Sequence, residues 1–389
     1  MNYNFDEIID RKNTYSIKYD FAVERGKPEG VLPFWVADMD FKSPPEVIAA
    51  LSERCEHGIY GYTDPKGAYY DTVQKWFLEH HSLQLEKEWV VVTPGIVFTI
   101  NCAIRAFTKE GEGVLVQKPV YYPFFKSIIK NNRRVVNNSL VNTGGRYEID
   151  FDDFEKKIIS ENVKLFLLCS PHNPVGRVWT KDELEKMGEI CRKNNVMVVS
   201  DEIHSEFTYG VKHTPFWLAG SGFDENSIIC TSPSKTFNQA GLQHANIFIK
   251  NAQIRERLFS EIYRSGYSNV STFGLVACKA AYDYGHEWLR QLNVYLKGNI
   301  DFAKKYIEEN MSQIKPVEVE GTYLLWLDFR ELGLSQAELD HLITHKANLW
   351  LDSGTMFGRE GEGYQRINIA TPRSNLKLAF ENIKKAIHI

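Results

Sequence analysis

Four short apolar runs in this chain each end in groups that can do chemistry. Val163–Cys169 leads into Ser170-Pro171-His172-Asn173-Pro174, Val196–Ser200 into Asp201-Glu202-Ile203-His204, and Ser227–Thr231 into Ser232-Pro233-Ser234-Lys235. Trp89–Val92 leads into Thr93-Pro94-Gly95-Ile96-Val97, a turn into a helix start whose free N–H groups suit a phosphate. Each has an ordinary explanation when taken alone. Asn-Pro is a common turn pair, Asp201 could cap the next element, and a single lysine is usually a surface lysine. Asp201, Glu202, His204 and Glu206 imitate a metal cluster, but no His-Glu-x-x-His pattern supports a metal. In open α/β sheets, ligands bind beyond the carboxyl ends of the strands. Together the four runs bring an anion cradle, an amide, an acid and an amine to one such edge.

That set is what pyridoxal phosphate requires. Its aldehyde needs a lysine amine for a Schiff base, and its pyridinium nitrogen needs a carboxylate that keeps it protonated as an electron sink. Its phenolic oxygen needs a donor such as an asparagine amide, its phosphate needs a helix N-terminus and hydroxyls, and its ring needs an aromatic plane.

The spaced set Asn173-Pro174, Asp201 and Ser232-x-Ser234-Lys235 resembles the class I/II aminotransferase family, fold type I of the pyridoxal-phosphate enzymes, over nearly the whole chain. Several stretches resemble its cystathionine β-lyase (cysteine C–S lyase) branch more narrowly. These are Trp35–Phe41 followed by Pro44-Pro45, Asp201–His204, Ser234–Asn238, Trp288-Leu289 and Gly321–Asp328. The resemblance implies that Lys235 is the Schiff-base lysine and the base for the Cα proton. It places Asp201 at the pyridine nitrogen, Asn173 at the ring hydroxyl and Tyr121 against the ring. The backbone of Ile96 and Val97, with Ser232 and Ser234, forms the phosphate cup. Tyr62 or Tyr60 reaches the phosphate from a second subunit, which implies a homodimer with shared active sites. Arg366 grips the substrate α-carboxylate in preference to Arg373, and Ala37 completes that site with the Val36–Ala37 backbone. The leaving thiolate takes its proton from Lys235 or Tyr121.

Two positions depart from the broader aminotransferase pattern. His204 stands three residues after the acid, where tyrosine is usual, and Gln243 stands eight after the lysine, where a phosphate-binding arginine is common. His204 follows the lyase branch and is counted with the cofactor-binding residues. Both features favour a lyase that splits L-cystathionine or related L-cysteine S-conjugates into thiol, pyruvate and ammonia. The alternatives are an aminotransferase, and a regulatory partner-binding protein with residual lyase activity.

These side chains need an α/β scaffold to hold them, and the middle of the chain predicts one. Further strands are predicted at Val114–Gln117 and Asn246–Ile249, with helices at 96–107, 122–131 and 181–194. Strand–helix alternation predicts a mostly parallel sheet covered on both faces, and the resemblance implies seven strands. Residues 272–310 read as one long helix or two abutting ones. Beyond them, strands at 322–328 and 366–370 and helices at 335–345 and 376–387 predict a smaller α+β part. The expected division is a large cofactor-binding domain at 46–285, and a small domain formed by 1–45 with 286–389.

Composition agrees with this picture. The 389 residues are 43% hydrophobic and 25% charged, which excludes disorder, collagen and coiled coil. A net charge of −4 advertises no nucleic-acid partner. No stretch reaches the roughly 18–20 apolar residues of a membrane span. The opening Met1–Glu7 lacks the basic start and apolar run of a signal peptide. Six scattered cysteines without a Cys-x-x-Cys pair suit a reducing cytoplasm. The expected partner is a small amino-acid substrate.

Overall fold

The computed structural model describes residues 2–388. Its centre is a seven-stranded sheet made of β1 (Val90–Thr93), β2 (Gly113–Val116), β3 (Arg134–Asn137), β4 (Val163–Cys169), β5 (Met197–Asp201), β6 (Ser227–Thr231) and β7 (Ala245–Phe248). The strands lie in the order β1-β7-β6-β5-β4-β2-β3. All run parallel except β7, which is antiparallel to both β1 and β6. Apart from the edge strand β3, the strands are rich in Val, Ile and Leu and bury both faces, as a helix-covered parallel sheet must. Each predicted central strand falls within a residue or so of its observed span. The sheet is therefore the mostly parallel seven-stranded one expected.

Two helices begin at recognisable signals. α1 (Ile96–Phe107) starts immediately after Gly95. α2 (Lys181–Lys193) starts with a capping box, in which the Thr180 hydroxyl accepts from the Glu183 N–H and the Glu183 carboxylate accepts from the Thr180 N–H. The run from 272 onward divides into α3 (Thr272–Tyr284) and α4 (His286–Asn310). Gly285 lies between them at a close approach, where a Cβ would stand 2.4 Å from both the Ala281 carbonyl oxygen and the Phe237 ring.

A second, four-stranded antiparallel sheet combines β8 (Lys315–Pro316), β9 (Leu324–Asp328), β10 (Asp352–Ser353) and β11 (Tyr364–Asn368), in the order β8-β9-β11-β10. Four predicted boundaries move here. β9 starts at Leu324 because Thr322 is left-handed, with φ of 68°. The helix expected at 335–345 runs from Gln336 to His341 and continues as a wider π turn over Leu342–Lys346. The closing helix begins at Arg373. Arg366, expected to open a strand, lies in the middle of β11.

The irregular N-terminal segment is held by side chains. Asn368 Nδ2 donates to the carbonyls of Val36 and Asp38 at 2.6 Å each. Asn238 Nδ2 donates to the carbonyls of Met39 and Phe41. Arg11 and the buried Lys18 pair with Asp38 and Asp40. Among the described residues, no helix is long and apolar enough to cross a membrane.

Candidate active site

The parallel strands all present their carboxyl ends at one edge, and there the chain forms a cleft of about 210 Å³. Lys235, Asp201, Asn173, Tyr121, His204, Ser234, Ile96, Val97, Ala37 and Arg366 all line it. A larger open groove of about 910 Å³, beside Asn142, Ile307 and Lys315, carries none of these groups.

Lys235 sits on a single-turn helix, Pro233–Thr236, that begins with Pro at its first position and is capped by the Ser232 hydroxyl accepting from the Ser234 N–H. Its Nζ donates to the Ala37 carbonyl at 2.6 Å. Burial pushes its pKa down to about 8, opposed by the charge of Asp38. The amine therefore holds an appreciable neutral fraction near neutrality, the form a nucleophile needs.

Asp201 is the last residue of β5, and its Oδ1 accepts from the Ile203 N–H at 3.2 Å. Burial raises its pKa to about 7, against the pull of that N–H and of Lys235. A buried carboxylate with so little compensation calls for a cationic donor in the cleft. A protonated pyridine nitrogen is such a donor.

Asn173 turns its Oδ1 toward Arg366 Nη1 at 2.9 Å, which leaves its Nδ2 without a hydrogen bond among the described residues. The first amides of α1, at Ile96 and Val97, also have no acceptor among the described residues. A free amide donor, an anion cradle, an underused acid and a buried amine in one cleft match pyridoxal phosphate group by group.

Tyr121 is fixed by its backbone N–H, which donates to the Asn173 carbonyl at 3.0 Å. Burial raises its hydroxyl above the ordinary phenol range. His204 is held neutral by burial and by the nearby charges of Lys235 and Arg366, and its ring meets Tyr323 edge-on at 5.6 Å. The Tyr323 hydroxyl shares the Ala37 carbonyl with Lys235, donating at 2.9 Å.

Arg366 projects from β11. Besides Asn173, it donates through Nη2 to the Trp35 carbonyl at 2.8 Å and pairs with Asp352. The Phe357 ring lies 4.9 Å from its guanidinium carbon.

Two expected residues lie elsewhere. The Ser232 side chain does not line the cleft, because its hydroxyl is committed to the His244 carbonyl at 2.6 Å and to Ser234 Oγ. Tyr62 is 96% exposed and Tyr60 56%, so neither reaches the cleft of its own chain. Arg373 is turned away toward Asn299. The acids next to Asp201 are engaged in other pairs: Glu202 takes His213 and Ser200, and Glu206 takes His81 and Trp76. Asp352 and Tyr122 line the cleft without having been singled out in the sequence. Asp352 becomes visible only through sheet pairing, since it stands directly across from Arg366.

The sequence pattern of the family described as "Aminotransferase class I and II" matches residues 29–383. The chain is 40% identical to cystathionine beta-lyase PatB of Bacillus subtilis (strain 168), covering 99% of this chain and 100% of that protein. It is 32% identical to Protein MalY of Escherichia coli (strain K12), over 99% of each. Among solved structures, cystalysin from Treponema denticola, described as containing a pyridoxal 5'-phosphate cofactor, matches with a TM-score of 0.96 and 39% identity. That match covers 100% of this chain and 99% of cystalysin.

Proposed function

The chain belongs to the aminotransferase class I and II family and is a pyridoxal-phosphate-dependent C–S lyase of the cystathionine β-lyase type, and we propose that it takes L-cystathionine and related L-cysteine S-conjugates. The single observation that carries the chemistry is the placement of the Lys235 amine, its pKa lowered to about 8, in one buried cleft with Asp201 and Arg366.

When bound, pyridoxal phosphate supplies an electron sink for negative charge at the substrate Cα. In our assignment Lys235 attaches it, Asp201 faces the ring nitrogen, Asn173 Nδ2 faces the ring hydroxyl and Tyr121 lies along the ring. The Ile96 and Val97 amides and Ser234 hold the phosphate. Arg366 grips the α-carboxylate through charge-assisted hydrogen bonds, with the backbone at Ala37 beside it, and so fixes which Cα bond faces Lys235. Lys235, its amine set free when the substrate amine takes its place, then removes the Cα proton. The electron pair of that bond becomes the Cα–Cβ double bond as the Cβ–S bond breaks. The thiolate leaves with the sulfur pair and takes its proton from Lys235 or Tyr121. The released aminoacrylate hydrolyses to pyruvate and ammonia. Neutral His204 adds no charge beside the cofactor ring.

We also propose a homodimer in which Tyr62 of each chain serves the other's phosphate. The exposed Ile59, Tyr60 and Tyr62 support this, since a short run so rich in apolar surface suits an interface. Residues 46–285 would form the large domain, and 1–45 with 286–389 the small one. Six free cysteines suit a reducing cytoplasm.

The test is incubation with L-cystathionine alone and, separately, with an amino acid and 2-oxo acid pair. Equimolar pyruvate and thiol without an acceptor is the expected result. Amino transfer that requires the acceptor, with no pyruvate from L-cystathionine, would make the protein a transaminase instead. Lys235→Ala should abolish pyruvate formation.

A further inference from the structure

The stretch Trp35–Phe41 carries two acids, Asp38 and Asp40, that the mechanism leaves unused. Asp38 follows Ala37, whose carbonyl accepts from Lys235 Nζ at 2.6 Å and from the Tyr323 hydroxyl at 2.9 Å. That carbonyl is the seat of the amine whenever the amine is free. Asp38 does not itself line the cleft. Its carboxylate is taken by the N-terminal arm. Arg11 makes a two-pronged contact, Nη1 to Oδ1 at 3.0 Å and Nη2 to Oδ2 at 2.7 Å, and the buried Lys18 lies 3.4 Å from Oδ1. Arg11 Nη1 also donates to the Met39 carbonyl at 3.1 Å and to Asp40 Oδ1 at 2.8 Å, and Lys18 Nζ donates to Asp40 Oδ1 at 2.9 Å. Two cations and two anions thus close on one another and lock the peptide around Asp38. A two-pronged guanidinium–carboxylate contact fixes orientation as well as distance.

Few charges face the Lys235 amine. Asp201 stands at the end of β5 and Arg366 on β11. His204 is neutral, and burial keeps the Tyr121 and Tyr323 hydroxyls protonated. Asp38 completes the set from the N-terminal segment. Burial lowers the amine to about 8, Asp38 is the foremost charge opposing that fall, Arg366 acts with burial, and Asp201 opposes it less. Asp38 is ionised to do so, because against the effect of burial Arg11 and Lys18 hold it below the ordinary carboxylate range. With Asp201 assigned to the ring nitrogen, Asp38 is the acid left to Lys235.

We propose that Asp38 is a positioning residue for the catalytic amine: clamped by Arg11 and Lys18, it fixes the Ala37 carbonyl against Lys235 and supplies a counter-charge from outside the cleft. The inference rests on the assignment of Lys235 above, and adds to it a residue that acts only through that amine. The N-terminal arm thereby has a part in the chemistry without entering the cleft.

The experiment follows the rate at which cofactor-free protein takes up pyridoxal phosphate against pH, in the wild type, in Asp38→Asn and in Arg11→Gln. Loss of the Asp38 charge should move the pH at which the rate levels off downward by about half a unit or more, since less of the amine is then held as ammonium. Arg11→Gln removes a cation and leaves Asp38, so it should move that pH upward. The acid limb of kcat for pyruvate release from L-cystathionine should shift in the same direction as uptake in each variant. A site that is only loosened lets water reach the amine and moves both variants upward. That outcome, or a downward shift in Asp38→Asn smaller than about half a unit, overturns the proposal. Should Asp38→Asn fail to fold, Lys18→Met/Asp38→Asn removes one charge of each sign from the cluster and should show the same downward shift. Uptake by Lys235→Ala with the wild-type pH dependence would overturn the Lys235 assignment itself, and the role of Asp38 with it.

Discussion

The Arg366 guanidinium and the Asp352 carboxylate form an ion pair inside the cleft, across directly paired positions of β11 and β10, with side chains only 4% and 3% exposed. Burial holds Asp352 above the ordinary carboxylate range even against the pull of Arg366. The acid thus neutralises the arginine before any substrate carboxylate reaches it. Asp352→Asn leaves a buried cation uncompensated, which costs about 3–5 kcal/mol of stability. A carboxylate ligand should recover part of that loss. Addition of L-alanine, which has no leaving group, should raise Tm more in the variant than in the wild type. Equal shifts would show that Asp352 does not stand in for the ligand.

Lys235 gives a pH signature. Only its neutral amine attacks an aldehyde, and burial lowers its pKa to about 8, so about a tenth is neutral at pH 7. The rate at which cofactor-free protein takes up pyridoxal phosphate should rise with pH toward about 8 and then level off. The growth of the bound cofactor's absorbance band measures it. A rate still climbing above pH 10 would place the amine in water rather than in the cleft.

Just beyond the loop that carries Asp201, Glu206 ties the chain to the helix Gly67–His81 by accepting from His81 Nε2 at 2.8 Å and from Trp76 Nε1 at 2.9 Å. Against the effect of burial, His81 and His80 hold Glu206 well below the usual carboxylate range, and Glu206 holds His81 above the usual imidazole value. The Glu206 share of stability is present above the ordinary carboxylate pKa and is lost as pH falls through its lowered value. The His81 share is complete below the ordinary imidazole pKa and is lost as pH rises through its raised value. Glu206→Gln should cost about 3–5 kcal/mol between these limits. The gap in Tm from the wild type should narrow on either side, which thermal melts from acid to mildly alkaline pH would record.

Gly354 and Gly361 pass so closely that a Cβ on Gly354 would stand 1.9 Å from the Gly361 carbonyl oxygen. Gly354 opens the turn that ends at Phe357, the ring beside Arg366. Gly354→Ala should therefore cost about 1–3 kcal/mol, the usual range for forced overpacking. It should also raise KM for the amino-acid substrate more than it lowers kcat. A denaturant melt combined with steady-state kinetics tests both.

The sheet and its chemical edge were legible because each strand is a short apolar run that stops where the polar group begins. Cys169 precedes the loop to Asn173, Asp201 closes β5, and Thr231 precedes Ser232. Arg366 could be read as a candidate from its motif, but its place in mid-strand could not, since the short strands of the second sheet carry little periodicity. Asp352 was hidden because its meaning depends on a partner fourteen residues away in sequence and adjacent only across the sheet. The family resemblance implied a phosphate ligand at Ser232. A hydroxyl next to a strand end can as well cap a turn, and here the His244 carbonyl takes it.

The N-terminal segment from Trp35 to Phe41 has a further consequence. Asn238 lies three residues after Lys235 and Asn368 two residues after Arg366, and both clasp this same stretch of peptide. A shift of that stretch displaces the amine and the guanidinium together. The segment thus works as a shared ruler between the two anchor points of a substrate, and keeps their spacing constant although one sits on a single-turn helix beyond β6 and the other on β11.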